Sequence, residues 1–219
     1  EKQMKILAIG DIHGEKKYFN AAADLIKSVD LVALCGDIAR DGDWKSAEDV
    51  LSCIERYTDR IVGVHGNWDR SEVCAILERR GYSLHGRGTI IDGVGFFGVG
   101  GSTQTPMNTA SEYSEEEFAD FLSAGFKQIA GAAVSVLISH SPPHRVRDRT
   151  FIGIRGGSRA VRTFIENNGI GLCLAGHIHE AYGVEQLMGC QVANCGSFKK
   201  GRYSLVELTD SITVSQGRL

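Results

Sequence analysis

The stretch Gly66-Asn67-Trp68-Asp69 decides how this chain reads. It follows an apolar run, Arg60 to His65, that predicts a buried strand. It precedes Ser71, which is placed to cap a helix carrying Val73, Ile76 and Leu77 on one face. An Asn and an Asp on a tight turn after a strand occupy the place where open α/β sheets put ligands. One such turn is weak evidence, because an Asp at a strand end is ordinarily a turn or cap residue. Four other strand ends repeat the pattern. Asp11-Ile12-His13 follows Met4 to Ile9, and Gly36-Asp37 follows Leu31 to Cys35. Ser139-His140 follows Val134 to Ile138, and Gly176-His177-Ile178-His179 follows Ile170 to Ala175.

Working outward, helical spacing covers Glu15 to Ser28 (Tyr18, Phe19, Ala22, Leu25, Ile26) and Asp43 to Arg56 (Ala47, Val50, Leu51, Ile54). Three strand–helix units in succession predict a parallel sheet with right-handed crossovers. After Gly81 come short β-rich runs, Ser83-Leu84, Gly88 to Ile91 and Phe96 to Val99, with Asp92-Gly93 as a tight-hairpin signal. Ser114 and Glu117 form a capping box for a helix with Phe118, Phe121, Leu122 and Phe126 inward. Ser158 caps another, with Val161, Phe164 and Ile165. From Tyr182 onward the pattern is strands and hairpins. Two packed sheets with helices outside fit this content better than one long sheet.

Nothing divides the 219 residues: there is no linker, no repeat, and only three prolines, so residues 1–219 read as one domain. A net charge of −3 gives no global basic field toward nucleic acid or an anionic membrane. No apolar run approaches the ~18–20 residues of a membrane span, and no signal-peptide pattern opens the chain, so no membrane partner is expected. The six scattered cysteines form no Cys-x-x-Cys pair. They read as small buried hydrophobes in a reducing cytoplasm.

The five blocks supply seven ligand-type side chains: Asp11, His13, Asp37, Asn67, His140, His177 and His179. Mixed N/O donors favour manganese, iron, zinc, cobalt or nickel over magnesium or calcium. Seven donors exceed one tetrahedral site and suit two ions ~3.5–4 Å apart sharing a carboxylate. Asp11 with His13, and His177 with His179, are spaced to point to one side of an extended segment.

The order Asp-x-His, Gly-Asp, Gly-Asn-x-Asp, His, Gly-His-x-His, from Asp11 to about Asn194, resembles the calcineurin-like metallophosphoesterases. The resemblance implies a two-sheet αββα sandwich and a compact single-domain microbial phosphoesterase. It implies two divalent ions, manganese foremost, with Asp11, His13, Asp37 and His179 on one and Asp37, Asn67, His140 and His177 on the other. Asp37 would bridge, and a metal-bridging hydroxide would attack phosphorus in line. Asp37, Asn67 and Asp69 are then the catalytic candidates. Many members carry His after the Asn, where it assists the leaving group, and this chain has Trp68. An indole donates one hydrogen bond and transfers no proton. The expectation is therefore a phosphodiesterase favouring good leaving groups rather than a monoesterase, with His65 and His144 as candidate substitutes for the lost acid.

Six arginines (145, 147, 149, 155, 159, 162) lie between Pro142 and Arg162 against a single acid, Asp148. Beside His140 they read as an electropositive lip for a small phosphoester, with Arg145, His144 and Trp68 as substrate contacts. An oligonucleotide would also suit such a lip, but no aromatic ladder accompanies it, so nucleic acid is the lesser expectation. The Gly/Ser/Thr-rich stretch from Gly98 to Met107 is expected as a loop at the site edge, and the loop from Ser102 to Tyr113 is expected to cover the site and contribute specificity. A protein-binding scaffold with this fold is the remaining alternative; seven intact ligand positions argue against it. Nothing in the apolar pattern marks a dimer surface.

Overall fold

Two β-sheets pack face to face in a computed structural model that describes residues 3–219. The first has five strands in the order β11-β10-β1-β2-β3: β1 Met4–Ile9, β2 Leu31–Cys35, β3 Ile61–Val64, β10 Arg202–Leu208 and β11 Ile212–Arg218. The second has six in the order β4-β5-β6-β7-β9-β8: β4 Gly88–Ile91, β5 Val94–Val99, β6 Val134–Ser139, β7 Leu172–Ala175, β8 Gly183–Leu187 and β9 Cys190–Asn194. β1, β2 and β3 are parallel to one another, as are β5, β6, β7 and β9.

The two-residue side-chain period sorts the core into layers. On β1, Ile6 and Ala8 face the second sheet, meeting Phe96, Val136, Ile138, Leu172 and Leu174. Leu7 and Ile9 face the other way, onto the helices α1 Ala23–Lys27, α2 Trp44–Glu55 and α3 Ser71–Arg79. The second sheet buries Phe97, Leu137, Cys173 and Val192 against α4 Glu115–Lys127 and α5 Arg159–Asn168. The αββα sandwich expected from the sequence is the observed fold.

Local signals decide most boundaries. Asp43 caps α2, accepting from Lys45 and Ser46 N–H groups, the Ser114–Glu117 capping box forms, and Ser158 caps α5. Two helix readings need correction. The helix expected over 15–28 is α-helical only at Ala23–Lys27, after a run of turns. Phe19 is fully buried against Phe198, ring centroids 4.9 Å apart, so tertiary packing overrides the helical period there. Ser71 is the first residue of α3 rather than its cap; Arg70 takes that place and no side chain caps it. The six cysteines are free thiols; Cys35, Cys173, Cys190 and Cys195 are buried as expected, while Cys53 and Cys74 are only partly buried. No helix among the described residues is long and apolar enough to cross a membrane.

Candidate metal centre

The turns after β1, β2, β3, β6 and β7 meet at one end of the sandwich. Backbone bonds knit the first two together: Asp11 N–H donates to Gly36 O, and Ile12 and His13 N–H both donate to Asp37 O, at 2.8–2.9 Å. Gly36 has φ +89°, and a side chain there would collide with His140 Nδ1. One at Gly66 would be driven into the Asp37 carboxylate. Only glycine lets these turns come so close.

Asp11, His13, Asp37 and His177 all have φ between 48° and 67°, the left-handed region that non-glycine residues seldom enter. This corrects the reason given for the paired spacings. Neither Asp11/His13 nor His177/His179 lies on an extended segment, and His179 opens a single 3-10 turn, His179–Ala181. The side chains converge through turns. Strain of this kind gathers at functional sites.

The distances define one buried cluster. His179 Nε2 lies 3.1 Å from Asp11 Oδ1 and 3.4 Å from His13 Nε2. Asp37 Oδ2 stands between two imidazoles, 3.7 Å from His13 Nε2 and 3.6 Å from His140 Nε2. Asn67 Oδ1 is 2.9 Å from His140 Nε2, and the His177 ring lies 5.0 Å from that of His140. Asp11, His13 and His179 bring ligand atoms within 4.8 Å of one another, and so do Asp11, Asp37 and His140. All seven sequence candidates are thus in one place.

Hydrogen bonding fixes how the donors point. His140 Nδ1 is 2.7 Å from the Cys35 carbonyl, which can only accept, so Nδ1 carries the proton and Nε2 presents a lone pair. Thr109 Oγ1 donates to the Glu112 carboxylate at 2.6 Å and accepts from Asn67 Nδ2 at 2.9 Å, which turns Asn67 Oδ1 toward His140. Two lone pairs therefore face each other at 2.9 Å with no proton between them. A cation bound by both atoms would relieve that repulsion, and the donor set suits a first-row divalent ion.

The electrostatics agree. Burial, with the Asp69 and Asp11 carboxylates, pushes the Asp37 carboxyl well above its ordinary range. Burial holds His13 at about 4 and His177 at about 3, so both are neutral at pH 7. Burial opposes ionisation of Asp11, but hydrogen bonding to His179 prevails and lowers it.

A search against family descriptions matches residues 4–181 to the calcineurin-like phosphoesterases. The chain belongs to that family. This phosphoesterase is 32% identical over 198 residues to the uncharacterized protein MJ1162 of Methanocaldococcus jannaschii, covering 88% of each chain. Its fold is similar to that of a dimetal phosphatase from Danio rerio (16% identity, TM-score 0.63, 99% of this chain and 96% of that one). It is also similar to that of an archaeal phosphodiesterase (16% identity, TM-score 0.58, 99% and 100%).

Other expectations fare differently. Asp69 is fully buried and does not face the cleft; its carboxylate accepts N–H bonds from Ile38, Ala39 and Gly66, bracing the Asp37 and Asn67 turns. Trp68 is 38% exposed and lines a cleft of about 510 Å³ with His13, His179, Arg40, Lys199 and Lys200. His65 is buried, 3.1 Å from the Tyr113 hydroxyl and packed on His85. Burial, then the neighbouring imidazoles, hold it at about 3, so it is neutral at pH 7.

The arginine lip divides. Arg147, Arg155 and Arg162 are tied to Glu185, Asp148 and Glu166, while Arg145, Arg149 and Arg159 are exposed. Asp148 is fully buried; besides Arg155 it accepts N–H bonds from Arg145 and Gly157 and lies 3.6 Å from His144 Nδ1. His144 therefore belongs with Asp148 at the lip.

Several functional residues were not singled out in the sequence. Thr109 and Glu112 orient Asn67, and the Ser111 hydroxyl donates to Asp69 O. Asn194 Nδ2 donates to the carbonyls of Gly176 and Ile178, holding the His177 turn. Ser197 Oγ donates to Asp11 O. Asn194-Cys195-Gly196-Ser197 is a sixth strand end of the same kind, and that was its available signal. Thr109 and Glu112 had none, since a Gly/Ser/Thr-rich loop carries no periodicity.

Proposed function

We propose that this protein hydrolyses small phosphodiesters with two divalent metal ions. Asp11, His13, Asp37 and His179 would hold one ion and Asp37, Asn67, His140 and His177 the other. The observation that carries this reading is the place of Asp37 Oδ2, within 3.7 Å of imidazole nitrogens on both sides of the cluster. When bound, two such ions neutralise phosphoryl oxygens and lower the pKa of water. Manganese is the first candidate, then iron, nickel, zinc or cobalt.

The chain's own residues do the positioning. The Asp11 carboxylate accepts the His177 N–H while its Oδ1 holds His179, so one side chain ties two turns. Glu112 and Thr109 hold the Asn67 amide. Arg40, Lys199 and Lys200 border the cleft with positive charge suited to a phosphoester. Trp68 stands at the cleft where a proton donor would serve the leaving group, and an indole is none. General-acid help is worth about 10²–10⁴-fold, so substrates with good leaving groups should be preferred. The six free thiols support a reducing, cytoplasmic setting.

The test is hydrolysis of bis-p-nitrophenyl phosphate against p-nitrophenyl phosphate by metal-stripped protein given Mn²⁺, Ni²⁺, Zn²⁺ or Mg²⁺. Metal-dependent turnover favouring the diester supports the reading. Efficient monoester turnover would remove the diester preference, and no turnover with any ion would remove the enzyme.

A further inference from the structure

Between β6 and α5 the chain throws out a hairpin whose tip is apolar and bare. Phe151 is 88% exposed, Ile152 67% and Ile154 55%, three large hydrophobic side chains within four residues. The hairpin is built. Arg149 and Arg155 form an antiparallel bridge, Thr150 N–H donates to Ile154 O and Gly153 N–H to Thr150 O, both at 2.9 Å. Its base is locked by buried Asp148, which takes Arg155 at 2.7 Å and the Arg145 and Gly157 N–H groups. Two backbone bonds thus close the turn, and the apolar side chains stand exposed.

The surroundings of the tip are cationic. The Arg149 guanidinium lies against Gly153, Arg155 flanks the other strand, and Arg145 and Arg159 are exposed nearby in sequence. Glu180 is the acid that meets the tip, accepting the Phe151 N–H at 2.9 Å.

We infer that this hairpin docks the protein on an anionic lipid surface, with Phe151, Ile152 and Ile154 entering the headgroup–acyl boundary and the arginines meeting lipid phosphates. Shape and charge choose this occupant. A protruding apolar tip needs a matching apolar groove on a rigid partner. A bilayer deforms around a convex tip, and an arginine collar below apolar anchors matches an acidic interface. The net charge of −3 gave no reason to expect membrane contact. The cationic field is local to one edge. Through Glu180, which follows His179, the tip is joined to the turn beside the metal centre. A docked protein would hold its cleft near the lipid surface.

The experiment is vesicle cosedimentation of the full chain, comparing phosphatidylcholine alone with phosphatidylcholine–phosphatidylserine. The variants are Phe151→Ser/Ile152→Ser and Arg145→Gln/Arg149→Gln. Neither pair touches the core, and thermal unfolding checks that both fold. The expected result is salt-sensitive binding only to the anionic vesicles, lowered about tenfold or more by the apolar pair, and made weaker and less salt-sensitive by the loss of the arginines. No binding to anionic vesicles, or equal binding by wild type and the apolar pair, would overturn the inference. So would a dimer in analytical ultracentrifugation that the apolar pair converts to monomer without any lipid binding; the tip would then be a self-association face.

Discussion

The backbone N–H of Trp68 donates to Oδ1 of Asp37 at 2.9 Å. The main chain of residue 68 supports the metal centre, and its side chain is free to vary. Trp68→His should therefore leave metal stoichiometry unchanged. It should raise turnover of esters with poor, alkyl leaving groups by about 10- to 100-fold relative to aryl esters. Steady-state kinetics on a series of leaving groups, with metal content by elemental analysis, reads both. An unchanged leaving-group dependence would show that residue 68 has no part in proton delivery.

Asp37 is buried beside Asp11 and Asp69, and its ionised form is disfavoured without a cation. Because its folded pKa is raised, the metal-free protein loses stability as pH rises through the ordinary carboxylate range toward neutrality. Asp37→Asn removes that cost and keeps an acceptor for Trp68 N–H. Metal-free Asp37→Asn should melt higher than metal-free wild type at pH 7. Added Mn²⁺ at about 100 times its Kd should stabilise the wild type by about 2.7 kcal/mol and the variant far less. Calorimetry of the four samples decides it; a lower melting point for the metal-free variant refutes the account.

Asp69 accepts three backbone N–H groups from two different turns. Asp69→Ala strands those donors in the interior, at about 1–3 kcal/mol for each left unpaired. Urea unfolding should show a loss of at least about 3 kcal/mol. Asp69→Asn, which keeps one acceptor oxygen, should fall between. Equal stability of Ala and Asn variants would contradict the bracing role.

Thr109 joins Glu112 to Asn67. Burial opposes ionisation of Glu112, yet hydrogen bonds from Thr105 and Thr109 hold its carboxyl down at about 2, so it is a constant acceptor at neutral pH. Thr109→Val frees the Asn67 amide. One of the two metal affinities should weaken by about tenfold while the other holds, and Thr109→Ser should restore it. Isothermal titration with Mn²⁺ is the measurement, and two unaltered affinities in the valine variant would exclude this role.

His85 packs among His65, Tyr113 and Phe121, and its Nδ1 accepts the Gly100 N–H at 3.0 Å. Burial depresses it to about 4 from 6.5. Its contribution is intact above pH 6.5 and is lost as pH falls toward 4, because the unfolded chain binds the proton first. The slope approaches about 1 kcal/mol per pH unit. His85→Asn, which keeps an acceptor, should reduce the slope of the denaturation midpoint against pH across that window by this one group's share, leaving that of His13, His65 and His177. Parallel curves for variant and wild type would place the titrating group elsewhere.

The sequence by itself determined the sandwich and which strand ends lie together. Near-continuous apolar runs in β1, β2 and β6 bury both faces of a strand, and such a run is local. Ligand-type side chains at five strand ends meet because parallel strands end on the same side. Ser114–Glu117 and Ser158 marked helix starts because a cap bonds within its own turn. The tertiary structure alone decided what depends on distant partners. Phe198 shortened the first helix by claiming Phe19. Left-handed turns at Asp11, His13, Asp37 and His177 aim the ligands, and no pattern of residue types encodes them. The proton on His140 is set by Cys35 O, 105 positions away, and the Asn67 amide by a loop 42 positions on. The arginines shared one sequence signature, yet half are ion-paired and the others stand exposed. A side chain's charge is written in the chain, whereas its partner is chosen by the fold.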